Sequence, residues 1–324
     1  MWCCGRRRQR KPHFPQCLAL SIRKWVRQQM QPVIGPSSSS CSSTSDSFLL
    51  SHLNTAECGS ETSAEQEKHE STGLSRMRSI VSFYICYVLC LGLGLACVAC
   101  VCLWNSGWRG GFAWDGSAQQ FNWHPVLMVT GLVVLYGYGA VLYRVPLTWG
   151  QNKLPWKLLH AALMLLAFIL SVLGLCAVFD FHNAKNTPNL YSLHSWIGLA
   201  TTALFAIQWV VGMAGFLLPW SPISLRKLLK PIHVWMGGSI LLLSIAACIS
   251  GINEKLFFVL KGNASGTQPY AKLPSEALLA NSLGVLIVAF GLIVLKILSN
   301  HKWQRPDSRP EDTAYAPLFQ EENE

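Results

Sequence analysis

Long runs of apolar residues, separated by short polar stretches, fill the chain from about residue 80 onward. Each run is close to the ~20 residues that an α-helix needs to cross a ~30 Å hydrocarbon core. The runs cover 80–104, 124–143, 158–179, 193–218, 234–252 and 277–298. The pattern therefore predicts an all-α protein, a six-transmembrane-helix bundle, with the lipid membrane as its surroundings.

Composition and charge point to the same class. Hydrophobic residues make up 51% of the 324 residues and charged residues only 13%, which is outside the usual range of soluble proteins. The formal net charge is +10, but eight of the 26 Lys and Arg lie in the first 28 residues and most others flank the spans. Such flanking charges are typical of cytoplasmic loops, so no nucleic acid is expected as a partner.

The chain divides into three parts. Residues 1–76 are basic and then rich in Ser, Thr and Glu, with a serine tract at Ser37–Ser47, and are interpreted as a disordered N-terminal extension. Residues 77–300 form the transmembrane domain. Residues 301–324 form a tail in which Tyr315–Leu318 fits a Tyr-x-x-apolar sorting signal. Whether residues 1–76 are normally translated stays open.

The loop charges predict the orientation. Basic residues concentrate between spans two and three and between spans four and five, which places these loops and both termini in the cytoplasm. They are Arg144, Lys153, Lys157, Arg226, Lys227 and Lys230. The last loop on the opposite side contains a glycosylation sequon at Asn263.

Four histidines lie at the starts of four different spans, where ionisable side chains are costly and usually functional. They are His124, His160, His194 and His233. Because successive helices are antiparallel, His124 and His194 share one side of the membrane, and His160 and His233 share the other. Facing histidines in a helix bundle can ligate haem iron from both sides. The pattern therefore predicts two haem groups, one near each face, that carry electrons across the membrane.

Other interpretations of the histidines stay open. Each ring can instead bind a backbone carbonyl or lie in the headgroup region. All four can also form a proton relay in a transporter or channel without haem. The apolar pattern predicts a loop at His182, which favours a solvated or substrate-facing position over haem ligation.

Five motifs around these histidines resemble the cytochrome b561 family of transmembrane ascorbate-dependent reductases. They are Phe121–Met128, Lys157–Ala161, Asn189–Trp196, Phe216–Trp220 and Pro231–Val234. The resemblance covers about 80 to 306. Within the family the chain looks most like the lysosomal or late-endosomal ferrireductase branch. The segments that indicate this are Trp108–Trp114, Ser250–Phe258 and Leu273–Ala277.

The resemblance implies an enzyme with two haem b groups, ascorbate as electron donor, and ferric iron or a ferric chelate as acceptor. It implies axial ligation by the same four histidines and a place in the late endosome or lysosome membrane. An alternative acceptor is monodehydroascorbate, whose reduction would regenerate lumenal ascorbate. The oligomeric state stays open, with a homodimer as one alternative.

The resemblance also implies further site residues. Cytoplasmic haem propionates or ascorbate would be contacted by Arg144, Lys153, Lys157 and Arg226. The surroundings of the haem on the opposite side of the membrane, between His124 and His194, would include Asn189, Leu190, Tyr191, Ser192 and Glu254. Positive-inside bias alone also explains the four cations, and Ser192 alternatively caps the fourth helix. Gln304 departs from the basic residue expected after Trp303, which puts a contact of the tail with the cytoplasmic haem in doubt.

Overall fold

The six apolar runs are helical in the computed structural model, which describes residues 54–262 and 268–306, with side chains from residue 71. All six helices are long and apolar enough to cross a membrane, and the described residues contain no β-strand. The helices are α1 (Asn54–Trp108), α2 (Ala118–Arg144), α3 (Lys153–Ala184), α4 (Leu193–Leu217), α5 (Ile223–Val259) and α6 (Ser275–Ser299). The predicted all-α bundle of six spans is confirmed.

Several helices begin earlier than the apolar pattern predicts. The α1 helix begins at Asn54, inside the segment for which the sequence predicts disorder, and continues unbroken into the first span. The α5 helix begins at Ile223, so His233 lies almost three turns inside it. Residues 1–53, Asn263 and Tyr315–Leu318 lie outside the described residues.

Helices α2 to α5 form a four-helix ring, in which α2 packs on α3, α3 on α4, α4 on α5, and α5 on α2. The α1 and α6 helices pack on each other and against α2, and α6 also contacts α5. Close approach of α2 and α3 requires a glycine, because a Cβ at Gly131 would lie 2.7 Å from the Ala167 carbonyl oxygen. The four histidine-bearing helices are thus neighbours around one interior.

Two π-helical turns interrupt the ring helices. One covers Val129–Leu135 in α2, and the other covers Met213–Leu217 at the end of α4. A π-turn rotates the residues beyond it relative to those before it, and such turns are frequent at functional sites. In α2 the π-turn lies between His124 at one end and Arg144 at the other.

Ser192 begins α4 as its N-cap. Its hydroxyl accepts the Ser195 backbone N–H at 3.3 Å, while the Ser195 hydroxyl accepts the Ser192 N–H at 3.2 Å. This reciprocal pair satisfies two N–H groups at the helix start. The capping role that the sequence offers for Ser192 is confirmed, and it fixes where His194 enters the bundle.

Candidate functional site

The four histidines form two pairs, one near each end of the bundle. The ring centroids of His124 and His194 are 6.0 Å apart with planes at 86°, and those of His160 and His233 are 6.3 Å apart at 67°. Each pair joins helices on opposite corners of the ring, α2 with α4 and α3 with α5. These are the pairs that antiparallel topology predicts from the sequence.

The spacing of both pairs fits a metal held between the rings. A metal–nitrogen bond is about 2 Å, and the nitrogen lies about 1 Å from the centre of its ring, so two imidazoles on one metal have centroids about 6 Å apart. The described residues contain no group of three or more His, Cys, Asp or Glu that could hold a metal ion. Two-histidine ligation of a haem iron therefore suits the geometry better than a protein-only metal site.

Backbone carbonyls orient three of the four rings through Nδ1. The contacts are His124 to Gly174 O (3.0 Å), His160 to Gly139 O (2.9 Å) and His194 to Ala247 O (2.9 Å). A carbonyl oxygen can only accept a hydrogen bond, so each of these contacts requires the proton on Nδ1 and leaves Nε2 with a free lone pair. The buried Nδ1 of His233 has no hydrogen-bond partner among the described residues. Metal-ligating histidines commonly show this carbonyl contact.

Two glycines make room for the rings. A Cβ at Gly251 would lie 2.6 Å from Cε1 of His194, and one at Gly212 would lie 2.9 Å from Cε1 of His233. Both distances are shorter than carbon atoms tolerate in a packed core. Each pair thus has one glycine on a facing helix that lets an imidazole pack directly against backbone.

A cavity of about 380 Å³ surrounds the His124 and His194 pair. Its wall is mostly apolar and includes Met128, Leu132 and Phe179. Cofactor sites are commonly mostly apolar cavities of about this size with a few polar groups. The cavity, the paired rings and the Nδ1 contacts together fit a flat, largely apolar cofactor with a central metal.

Aromatic rings enclose the other pair. The Tyr143 ring lies 5.5 Å from the His160 ring, and the Phe216 ring lies 5.3 Å from the His233 ring. The Gln208 amide also donates to the His233 carbonyl oxygen at 2.6 Å, which supports the α5 backbone beside the ring. These contacts hold the second pair in apolar surroundings.

Three of the four predicted cytoplasmic cations gather near this second pair. The Lys157 ammonium donates to the Phe216 carbonyl oxygen at 3.3 Å and lies within electrostatic reach of Lys153 and Arg226. The Arg226 guanidinium donates to the Leu218 carbonyl oxygen at 3.1 Å. The three charges therefore lie near Phe216, whose ring contacts the His233 ring.

Arg144 has a different environment. Its guanidinium is buried and donates to the carbonyl oxygens of Leu298 at 2.6 Å and Asn300 at 3.3 Å. Cations stabilise the C-terminal ends of helices, where carbonyls lack partners. In this structure the charge of Arg144 faces the end of α6.

Four of the five residues predicted around the His124 and His194 haem line the first cavity, and Asn189 contacts it only through His182. The cavity wall includes Leu190, Tyr191, Ser192 and Glu254. Leu190 has a left-handed backbone, with φ of 57°, and its carbonyl oxygen accepts the Trp196 indole N–H at 2.7 Å. The Asn189 amide binds the rim residue His182, whose Nδ1 is 3.0 Å from the amide oxygen.

Tyr191 and Glu254 connect the loop before α4 to α5. The Tyr191 hydroxyl donates to Glu254 Oε1 at 3.1 Å. Partial burial, with the Glu254 carboxylate beside it, raises the pKa of Tyr191 above its ordinary value of 10.0. The tyrosine therefore stays a neutral hydrogen-bond donor at physiological pH.

The structure adds charged residues that the sequence did not single out. Glu276 is buried and accepts from the Trp104 indole at 2.8 Å and from the Arg109 guanidinium. Lys255 lies over the Phe121 ring, with Nζ 3.9 Å from the centroid. The available signal was a carboxylate at the start of an apolar run and a lysine at the end of another.

Comparison with known proteins agrees with this architecture. A sequence profile of eukaryotic cytochrome b561 matches residues 123–259, which include all four histidines. The chain is 66% identical over 242 residues to a Danio rerio protein named lysosomal membrane ascorbate-dependent ferrireductase, covering 75% of this chain and 98% of the relative.

Two further relatives extend the comparison. The human protein of the same name is 60% identical over 225 residues, 69% of this chain and 92% of the relative. A Xenopus tropicalis plasma membrane ascorbate-dependent reductase is 44% identical over 230 residues, 71% of this chain and 80% of the relative. The chain therefore belongs to the eukaryotic cytochrome b561 family, whose members bind haem b.

Proposed function

We propose that this protein is a transmembrane ascorbate-dependent ferric reductase of the late endosome or lysosome membrane. The observation that carries the proposal is the presence of two imidazole pairs, 6.0 Å and 6.3 Å between centroids, near opposite ends of one membrane-spanning bundle. The printed names of the Danio rerio and human relatives supply the donor, the acceptor and the membrane.

In this proposal His124 and His194 hold one haem b, and His160 and His233 hold another. Haem b with two histidine ligands supplies reversible one-electron transfer without an open position for dioxygen. The carbonyls of Gly174, Gly139 and Ala247 keep three ligand rings in the tautomer that ligation requires. The apolar side chains around each pair exclude water from it.

The cations near the second pair form the proposed ascorbate site. Ascorbate is a monoanion near neutral pH, and clustered cations raise the local concentration of an anion. Lys153, Lys157 and Arg226 supply that charge beside Phe216 and His233. The positive-inside rule puts this end, and with it both termini, in the cytoplasm. Arg144 adds a positive charge at this end of the bundle, where its guanidinium donates to the carbonyl oxygens at the end of α6.

Ferric iron is reduced at the opposite, lumenal end in this proposal. The rim of the first cavity presents Tyr191 and Glu254 near His182, which gives oxygen and nitrogen ligands suited to ferric iron or its chelates. Regeneration of lumenal ascorbate from monodehydroascorbate uses the same path and differs only in the final acceptor.

We also propose a homodimer as the assembly, which light scattering of detergent-purified protein tests.

The experiment uses the full chain reconstituted in vesicles loaded with a ferric chelate. External ascorbate is expected to produce the reduced-minus-oxidised spectrum of b-type haem and then internal ferrous iron. A protein without haem absorbance would favour the histidine relay of a transporter. If ascorbate reduces the haem but only monodehydroascorbate reoxidises it, then monodehydroascorbate rather than ferric iron is the acceptor.

A further inference from the structure

A buried carboxylate lies behind the wall of the first cavity, and both of its oxygens accept hydrogen bonds from residues that line the cavity. Glu276 Oε1 accepts from the Trp104 indole N–H at 2.8 Å, and Oε2 accepts from Arg109. The Glu276 side chain is only 5% exposed, and the Arg109 side chain is 21% exposed. Glu276 therefore supplies one negative charge, and the Arg109 guanidinium is its direct ion-pair partner.

Lys255 brings a second positive charge to the same wall. Its ammonium lies 3.9 Å from the centroid of the Phe121 ring, and that ring is 6.0 Å from the His124 ring. The one ion pair among the described residues joins Arg109 to Glu276. Lys255 therefore has no carboxylate within 4.0 Å of its ammonium in that part of the chain. A face of an aromatic ring attracts the ammonium but leaves its charge unneutralised.

Arg109 also has unused donor capacity. Its Nε is buried without a hydrogen-bond partner among the described residues, although the residue lines the cavity. The carboxylate that lines the cavity, Glu254, lies at the rim and accepts the Tyr191 hydroxyl. Two cations, Arg109 and Lys255, thus line the cavity, while the buried carboxylate Glu276 lies behind Arg109, and buried charge is costly unless it is paired.

We propose that Lys255 and Arg109 form a carboxylate-binding subsite in the cavity beside His124 and His194. The proposal rests on the proposed function, which supplies two sources of a carboxylate, the haem propionate and the organic acid of a ferric chelate. A propionate would be held inside the cavity, and a chelate would be held at its rim. Lys255 acts as a positioning residue for that anion.

The test compares Lys255→Gln with Lys255→Arg in the full-length protein in detergent. The matched control is Lys261→Gln, which removes an exposed lysine beyond the end of α5 that does not line the cavity. The readouts are haem content, the midpoint potential of each haem, and KM for two ferric complexes, anionic ferric citrate and a cationic ferric complex.

If the anion is a propionate, Lys255→Gln lowers the midpoint potential of one haem, because a nearby positive charge favours the ferrous form. Lys255→Arg restores the potential, and KM for both ferric complexes stays unchanged. If the anion is a chelate, Lys255→Gln raises KM for ferric citrate roughly threefold to tenfold and leaves KM for the cationic complex and the potentials unchanged.

Two results would overturn the subsite. One is a Lys255→Gln protein with potentials and KM values equal to those of Lys261→Gln. The other is equal loss of one haem in Lys255→Gln and Lys255→Arg, which would indicate a packing role for the lysine stem. Either result leaves the proposed function standing. The proposed function fails only if the unmodified protein lacks haem or is not reduced by ascorbate.

Discussion

The carbonyl oxygen of Gly139 lies 2.9 Å from Nδ1 of His160, so the backbone of α2 fixes the orientation of a ring on α3. An α-helical carbonyl normally accepts the N–H four residues later, and this one also receives a side chain from a neighbouring helix. A Cβ at Gly139 would lie 2.9 Å from the Met164 methyl group, the flexible end of an α3 side chain. A helix–helix contact and a ring orientation thus meet at one position.

Removing one histidine of a pair should remove one haem. We expect His124→Ala and His160→Ala each to retain about half of the b-type absorbance per protein, because the pairs occupy opposite ends and do not share side chains. Haem per polypeptide, measured after extraction, checks this. His301→Ala, outside the bundle core, is the control. Full haem content in either histidine variant would refute the assignment of that pair.

A methyl group at Gly251 should displace the His194 ring. Its Cβ would lie 2.6 Å from Cε1, and overpacking of this kind costs about 1–3 kcal/mol, so haem affinity at this pair should fall roughly tenfold to a hundredfold. Haem titration of the apoprotein measures the effect. Gly238→Ala, on the same helix with no atom within 4 Å of the new Cβ, should bind haem normally.

Loss of the Lys157 charge should weaken ascorbate binding selectively. We expect Lys157→Gln to raise KM for ascorbate roughly threefold to tenfold, as removal of one partly exposed charge contact would. Reduction rates at varied ascorbate and salt concentrations check this. The exposed Lys227→Gln, which removes an equal charge nearby, should have little effect. Equal changes in both variants would indicate only a general surface potential.

Glu276 should contribute to stability as well as charge balance. Glu276→Leu leaves Arg109 without its carboxylate and the Trp104 indole without its acceptor, which should destabilise the protein by roughly 3 kcal/mol. Thermal unfolding in detergent, followed by circular dichroism, checks the change. The exposed Asp115→Asn on the same side should unfold at the original temperature.

Tyr191 should affect the rate without shaping its pH dependence. Because its pKa is raised above 10, the hydroxyl is protonated from about pH 5 to pH 8 and no charge change occurs there. Tyr191→Phe should therefore lower ferric reduction by a similar factor at every pH in this window. A ratio of wild-type to variant rate that changes with pH would contradict this.

The sequence predicts the helices and the histidine pairs because both depend on one-dimensional pattern. Apolar runs of the right length define the spans, and antiparallel alternation then puts His124 with His194 and His160 with His233. The Ser192 cap also follows from local chemistry, since its partner Ser195 is three residues away. These features need no knowledge of how side chains from distant segments meet.

Contacts between distant helices are not predictable in this way. Glu276 meets Trp104 and Arg109 only because α6 packs on α1, and the sequence separations exceed 160 residues. The π-turn at Val129–Leu135 has the same apolar composition as an ordinary helix. Arg144 carries a loop charge in the sequence, yet the fold turns it to the carbonyls of α6.

The diagonal placement of the histidines links cofactor supply to folding. Each pair connects corners of the four-helix ring, α2 with α4 and α3 with α5, whereas the main helix–helix packing joins adjacent corners. Each haem bound between two such histidines would link helices across the interior that do not otherwise pack closely. By mass action, any group that binds only the folded bundle stabilises it. A cell short of haem should therefore hold less of this protein, because haem-free chains open more often and are degraded.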